Sequence, residues 1–242
     1  MFNAETTRLH IVRWIRNWFE KNGPNSCAIV GISGGKDSTI VAGLCIEALG
    51  KNRVIGVRMP CFQQHDSDVA IKVCEHFDIT HIEYNIGSVF NEMHEMISVK
   101  IGTNDQMTTN MPARIRMTTL YAVATVFDGR VANTSNLSED WVGYATKFGD
   151  AAGDFAPIAK LTVSEVKEIG RVMDIPNEFI DKVPEDGLSG KTDEDNLGFT
   201  YEVLDRYIRT GEIDDKEIEA KICRLHIANQ HKLEVIPAFE GV

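Results

Sequence analysis

Gly31-Ile32-Ser33-Gly34-Gly35-Lys36-Asp37-Ser38 gathers two adjacent glycines, two serine hydroxyls, a lysine and an acid into eight residues. The apolar run Cys27-Ala28-Ile29-Val30 precedes it, and the helical pattern Thr39-Ile40-Val41-Ala42-Gly43-Leu44-Cys45 follows. A glycine loop between a strand and a helix suits phosphate: backbone N–H groups approach the oxygens closely, and the helix start adds partial positive charge. Asp37 is the odd member. An acid beside an anion site repels phosphate unless a cation lies between them, so the pattern points to a divalent metal. The alternative is a glycine turn in which Ser33 or Asp37 merely caps the helix. The spacing is neither that of the Walker loop nor that of a dinucleotide fingerprint with its third glycine. A second carboxylate, Glu139, follows another apolar segment and would complete a magnesium site; otherwise it is a solvated loop acid. Arg114 and Arg116 stand two apart on an expected helix, so they point to different faces.

These residues need a scaffold, and the apolar periodicity supplies one. Strands are expected over residues 27–32, 54–57, 81–84 and 130–134. Helices are expected over 5–21, 36–49, 66–77, 89–99, 111–127, 162–173, 199–209 and 214–230, with Leu9, Val12, Ile15 and Phe19 on the apolar face of the first. Residues 100–112 are polar and read as a loop, and 184–196 are acidic and flexible in composition. Strands alternating with helices predict an α/β fold, a doubly wound parallel sheet flanked by helices. Ligands of such sheets bind at the carboxyl ends of strands, where both Ser33 and Thr134 fall.

Composition narrows the class. The 242 residues suffice for one large α/β domain, and a net charge of −11 excludes extensive nucleic-acid contact. No apolar stretch approaches the roughly 18 residues of a membrane span. With no apolar leader, a cytoplasmic protein is expected. The five cysteines lack C-x-x-C spacing and read as reduced core thiols, with Cys61, after a proline, the one to watch as a catalytic or zinc-binding thiol.

The loop at 31–38 resembles the pyrophosphate-binding signature of the N-type ATP pyrophosphatases. Three further motifs stand in order: Asn133-Thr134-Ser135-Asn136-Leu137-Ser138-Glu139, then Thr146-Lys147-Phe148-Gly149-Asp150 with Asp154, then His231-Lys232. Together they resemble the ammonia-dependent NAD synthetases along nearly the whole chain. The resemblance implies a single NAD synthetase domain over 1–242 with a Rossmann-like ATP pyrophosphatase core at about 25–180 and a helical extension at about 181–242. It implies ATP contacts from Gly31, Ile32, Ser33, Gly34, Gly35, Lys36, Asp37, Ser38 and Thr134, with Mg²⁺ on Asp37 and Glu139. Arg114, Lys147, Asp154, His231 and Lys232 would hold deamido-NAD, Arg116 would be structural or peripheral, and the C-terminal tail would pack onto the site.

Two places depart from the pattern. Val163 stands where the family often carries an ATP-contacting lysine, so either Lys160, three residues earlier, is the substitute or the contact is absent. Glu185 replaces a frequent serine or threonine, leaving a backbone contact to ATP. The implied reaction is the last step of NAD biosynthesis: adenylation of the nicotinate carboxylate, then displacement of AMP by ammonia. Asp37 and Lys36 are the candidate catalytic residues, with charge neutralisation as their role. The motifs occupy most of the chain, so free ammonia is the expected donor, with a separate glutaminase as a further partner. A homodimer is implied, with the 5–21 and 111–127 helices as interface candidates or, alternatively, as core. The competing readings are another adenylating amidotransferase or thiolase of the loop class, and an ATP-binding sensor without turnover.

Overall fold

The computed structural model describes residues 2–62, 67–182 and 192–239. Its first half alternates as expected: α1 (Ala4–Asn22), β1 (Cys27–Gly31), α2 (Lys36–Leu49), β2 (Val54–Arg58), α3 (Ser67–His76), β3 (Thr80–Glu83), α4 (Gly87–Ile101), α5 (Asp105–Val126) and β4 (Gly129–Val131). The second half is helical, with α6 (Leu137–Val142), α7 (Val163–Val172), α8 (Asn177–Ile180), α9 (Asp193–Leu197), α10 (Tyr201–Thr210) and α11 (Lys216–Leu233). Among the described residues no helix is long and apolar enough to cross a membrane.

The four strands form one parallel sheet in the order β3-β2-β1-β4. The chain lays β2 and β3 to one side of β1, then returns to place β4 on the other, with Ala28 opposite Arg130. This reversal opens a crevice beyond the carboxyl ends of β1 and β4. Past Val131 the chain stays extended: the Asn133 amide donates to the Phe155 carbonyl at 2.8 Å, and Ala132 bridges Phe155. The expected strand to 134 therefore ends three residues early and exchanges its sheet partner for the 144–155 stretch.

Helices cover both faces because each presents one apolar stripe. On one face Val12, Ile15 and Phe19 of α1 pack with Ile40 and Leu44 of α2 and Ile169 of α7. Leu9, expected on the same stripe, is exposed. On the other face Ile115, Leu120 and Val123 of α5 cover Ile29, Val57 and Val131. A third cluster joins Val142, Leu204 and Ile222 from α6, α10 and α11.

Helix α5 corrects the expected loop at 100–112. It starts at Asp105, where the Asn104 side chain accepts from the Met107 amide at 2.8 Å, and it continues through Pro112. The cap fixes the start, and the burial of Met111, Ile115 and Leu120 offsets the backbone bond the proline removes. Short α6, α8 and α9 lack the periodic length that would have revealed them.

The second half is tied down by one buried acid. Asp205 of α10 accepts from the Ser138 hydroxyl, from the Ser164 amide at 2.8 Å and from the Ser164 hydroxyl at 2.6 Å. It thereby holds the first turns of α6 and α7 together. Asp205→Ala leaves these donors unpaired, and we expect urea denaturation to show a loss of about 2–4 kcal/mol.

Candidate functional site

The 31–38 loop is organised by its own hydroxyls. Ser38 Oγ accepts from the Ser33 amide at 3.3 Å and lies 3.2 Å from Ser33 Oγ, which in turn accepts from the Gly35 amide at 3.2 Å. Gly34 has φ +81°, and a Cβ there would sit 3.0 Å from the Ala70 nitrogen of α3. Only glycine meets both demands. Gly35 is the N-cap of α2, and no side chain caps that helix. The capping alternative for Ser33 and Asp37 is therefore overturned. The first-turn N–H groups of α2 are left to bind an anion.

Beside this helix start lies a caged charge. Lys36 is 3% exposed. Its Nζ donates to Asp37 Oδ2 at 2.8 Å and lies 4.0 Å from Glu139 Oε1. Burial opposes the ammonium, but Asp37 and Glu139 outweigh it and raise the lysine above its usual value. Burial first, and then repulsion from Asp37, push Glu139 above the usual carboxylate range, with Lys36 opposing. Asn136, the N-cap of α6, braces both acids: its Oδ1 accepts from the Glu139 amide at 3.1 Å, and its Nδ2 donates to Asp37 Oδ1 at 3.2 Å. Asp193 adds a third negative charge to the field at Lys36, and Tyr201 donates to Asp193 Oδ2 at 3.3 Å.

Asp37 and Glu139 fit a hard divalent cation. Both are oxygen donors flanking one point that already holds a positive charge. Among the described residues no three His, Cys, Asp or Glu side chains form a self-sufficient metal cage. An ion here would complete its shell with phosphate oxygens and water, as magnesium commonly does.

A cavity of about 540 Å³ opens beside the end of β4, lined among others by Asn133, Asp140, Trp141, Asp154, Lys160, His226 and Lys232. Asn133 holds its wall, donating to the Asp150 and Ala152 carbonyls at 2.9 and 3.1 Å. Trp141 stacks on His226 at 4.2 Å, and His226 Nδ1 donates to the Trp141 carbonyl at 2.8 Å. Buried Asp140 Oδ1 and Trp141 Nε1 have no hydrogen-bond partner among the described residues.

Of the expected substrate-binding residues, Asp154 and Lys232 line this cavity, while Arg114, Lys147 and His231 lie outside its lining and are joined to one another by hydrogen bonds. Lys232 donates to the Gly143 and Ala145 carbonyls at 2.8 and 3.2 Å, and Lys147 donates to the His231 carbonyl. Arg114 donates to the Lys147 carbonyl at 3.3 Å. The end of α11 thus lies against the 143–147 turn. Gly143, at φ +66°, permits the approach, since a Cβ there would fall 2.0 Å from Asn229 Cβ. Asp154 accepts from the Val131 amide at 2.7 Å and from Tyr121 at 3.3 Å. Thr134 is half-buried just past β4. Arg116 is half-buried and donates to the Met59 carbonyl at 3.0 Å. Lys160 lies on the cavity beside Asp140, whereas Val163 is buried at the start of α7. Glu185 lies outside the described residues.

Cys61 is half-buried near Arg116, and burial pushes its thiol up despite that neighbour. It lacks the depressed value of an activated nucleophile. Asn136, Asp193, Tyr201, Trp141 and His226 escape sequence reasoning. Only Asn136 carried a local signal, its capping distance from Glu139.

An uncapped glycine-loop helix and a carboxylate pair at the switch point of a parallel sheet define an α/β nucleotide-binding protein of the ATP pyrophosphatase type. The NAD synthase family profile matches residues 8–239. The chain belongs to that family. The NH(3)-dependent NAD(+) synthetase of Thermococcus sibiricus is 42% identical over 181 residues, 74% of this chain and 70% of the relative. The NMN synthetase of Francisella tularensis superposes with a TM-score of 0.91 at 30% identity, covering 100% of both chains. The NH3-dependent NAD synthetase of Campylobacter jejuni gives 0.79 at 27% identity, covering 99% of this chain and 100% of the other.

Asp140 offers a pH test of the cavity wall. Burial pushes it up to about 6, with Lys160 opposing. The unfolded chain therefore releases this proton first as pH rises from about 4 to 6, and the folded state is weakened across that window and stays weakened above it. Relative to wild type, Asp140→Asn should gain about 1–3 kcal/mol between pH 4 and pH 7.5 in urea titrations.

Proposed function

We propose that the protein is an ammonia-dependent ligase that uses ATP to amidate the nicotinate carboxylate of deamido-NAD, yielding NAD, AMP and pyrophosphate. One observation carries the reading: in a chain of this family, the uncapped start of α2 and the Asp37–Glu139 pair meet at the β1–β4 switch point. The N–H groups of 31–38 hold the departing pyrophosphate portion of ATP, with the Ser33 and Ser38 hydroxyls, and Thr134 lies beside the nucleotide. Asp37 and Glu139 hold Mg²⁺, which when bound neutralises phosphate charge. A nicotinate oxygen attacks the α-phosphorus as the bond to pyrophosphate breaks. Ammonia then attacks the activated carbonyl carbon, the bond to AMP breaks, and the nitrogen loses a proton. No protein nucleophile is needed, in keeping with the unactivated Cys61. The chain's work is positioning and charge compensation. Arg114, Lys147, Asp154, His231 and Lys232 surround the dinucleotide, and Lys160 contacts ATP. ATP as a substrate and the buried Cys45 and Cys74 fit a cytoplasmic enzyme.

A second reading has its own support. The full-length superposition on the Francisella tularensis protein is closer than that on the NAD synthetase, which favours the mononucleotide of nicotinate as the acceptor. Purified protein is to be given ATP, Mg²⁺ and ammonium with each nucleotide, and kcat/KM compared. One should be converted with equal amounts of AMP and pyrophosphate, and glutamine alone should not replace ammonium. AMP formation at the same rate without either nucleotide sinks both readings. Asp37→Ala should reduce turnover by at least about 100-fold.

We further propose a homodimer through α4 in place of α1, of whose apolar stripe Val12, Ile15 and Phe19 lie in the core. Helix α4 exposes Val89, Met93, Met96, Val99 and Ile101, more apolar surface than a solvent face needs. Met96→Glu combined with Val99→Glu should convert a dimer to a monomer in sedimentation velocity.

A further inference from the structure

We propose that Lys36 is a tethered counter-ion that stands in for the metal in the resting site and leaves the carboxylates when the divalent ion enters. The inference rests on the assignment of Asp37 and Glu139 as metal ligands. The ammonium is within 2.8 Å of one and 4.0 Å of the other, inside the space an ion bridging them would use. Magnesium binds carboxylate oxygens at about 2.0–2.1 Å, so ion and ammonium would be like charges a few ångströms apart among the same oxygens. They cannot both be satisfied there.

Lys36 also cannot simply be abandoned. It is nearly fully buried, and a buried ammonium without a partner is strongly disfavoured. Its backbone belongs to the first residue of α2, the helix whose uncapped N–H groups face the phosphate position. When phosphate is present, the displaced ammonium has phosphate oxygens within reach; when it is absent, it has only Asp193, already bonded by Tyr201. Metal entry is thereby coupled to nucleotide entry. Asp193 strengthens the hold on the resting cation from the side of α9. The device orders binding: the carboxylates stay neutralised and placed without metal, yet do not collect a divalent ion before ATP arrives.

The test is Mn²⁺ binding, read by electron paramagnetic resonance of the free ion, on full-length protein with no nucleotide. Wild type should bind weakly, and Lys36→Gln at least about tenfold more tightly. Lys36→Arg, which keeps the charge, should stay weak. Adding Glu139→Gln to Lys36→Gln should remove the gain, which places the ion between the carboxylates. Equal or weaker binding by Lys36→Gln overturns the proposal, as does a gain that survives Glu139→Gln. If the glutamine variant does not fold, Lys36→Met carries the same comparison. Wild type that takes up one Mn²⁺ per chain at micromolar free metal without nucleotide overturns the proposal whichever variants fold. None of these readouts requires turnover, so failure of the amidation assay leaves this result standing, and the reverse.

Discussion

The ammonium of Lys36 is the charge around which this molecule is arranged. A lysine at 3% exposure persists only where carboxylates replace its lost hydration. Those carboxylates come from two segments: Asp37 from the start of α2, and Glu139 from the first turn of α6. Neither segment is rigid by itself, because a glycine loop and a six-residue helix carry little local stability. The supports lie behind them. Asn136 bonds both acids, Ser138 binds Asp205 of α10, and Tyr201 at the start of α10 holds Asp193. The helical second half of the chain is thus a buttress for an electrostatic cage at the sheet edge.

The sheet makes this cage geometrically available. Parallel strands all end on the same side, and β1 and β4 are neighbours. The residues after them must therefore leave in the same direction, side by side. Pairing past Val131 with Phe155 then pulls the 144–155 stretch over the end of β4, and Phe155 stacks on Trp18 of α1 at 5.1 Å. One short strand consequently positions the Glu139-bearing segment on one side and a cavity wall on the other.

What could be read from the chain was what is local. The 31–38 loop, the strand before it and the helix after it are contiguous, and their glycines and apolar residues announce the geometry. The start of α5 was illegible because residues 105–110 are polar apart from Met107, with no apolar period, and the Asn104 cap decides the matter. Leu9 fits the helical period of α1 yet is exposed, because periodicity fixes a face but not how far the covering layer extends. Lys36 could be recognised as a loop lysine, but its direction depends on Glu139, which only the β1–β4 pairing brings near. Trp141 and His226, 85 residues apart, had no signal at all.

That division between local and assembled has a consequence for specificity. Lys36, Asp37 and Glu139 are fixed by short segments and one strand pair. The cavity is built instead from the 140–160 region and the end of α11, joined through the His226–Trp141 stack and the Lys232 contacts to the 143–145 carbonyls. Its buried Asp140 oxygen and Trp141 N–H are an acceptor and a donor without protein partners among the described residues, and such groups discriminate sharply between ligands that can and cannot satisfy them. A shift of α11 by a fraction of a turn would reshape this wall and leave Lys36, Asp37 and Glu139 untouched. On the proposed readings, selection between a mononucleotide and a dinucleotide acceptor would rest on the C-terminal helix and the turn it packs against, separable from the carboxylate pair beside the opening loop.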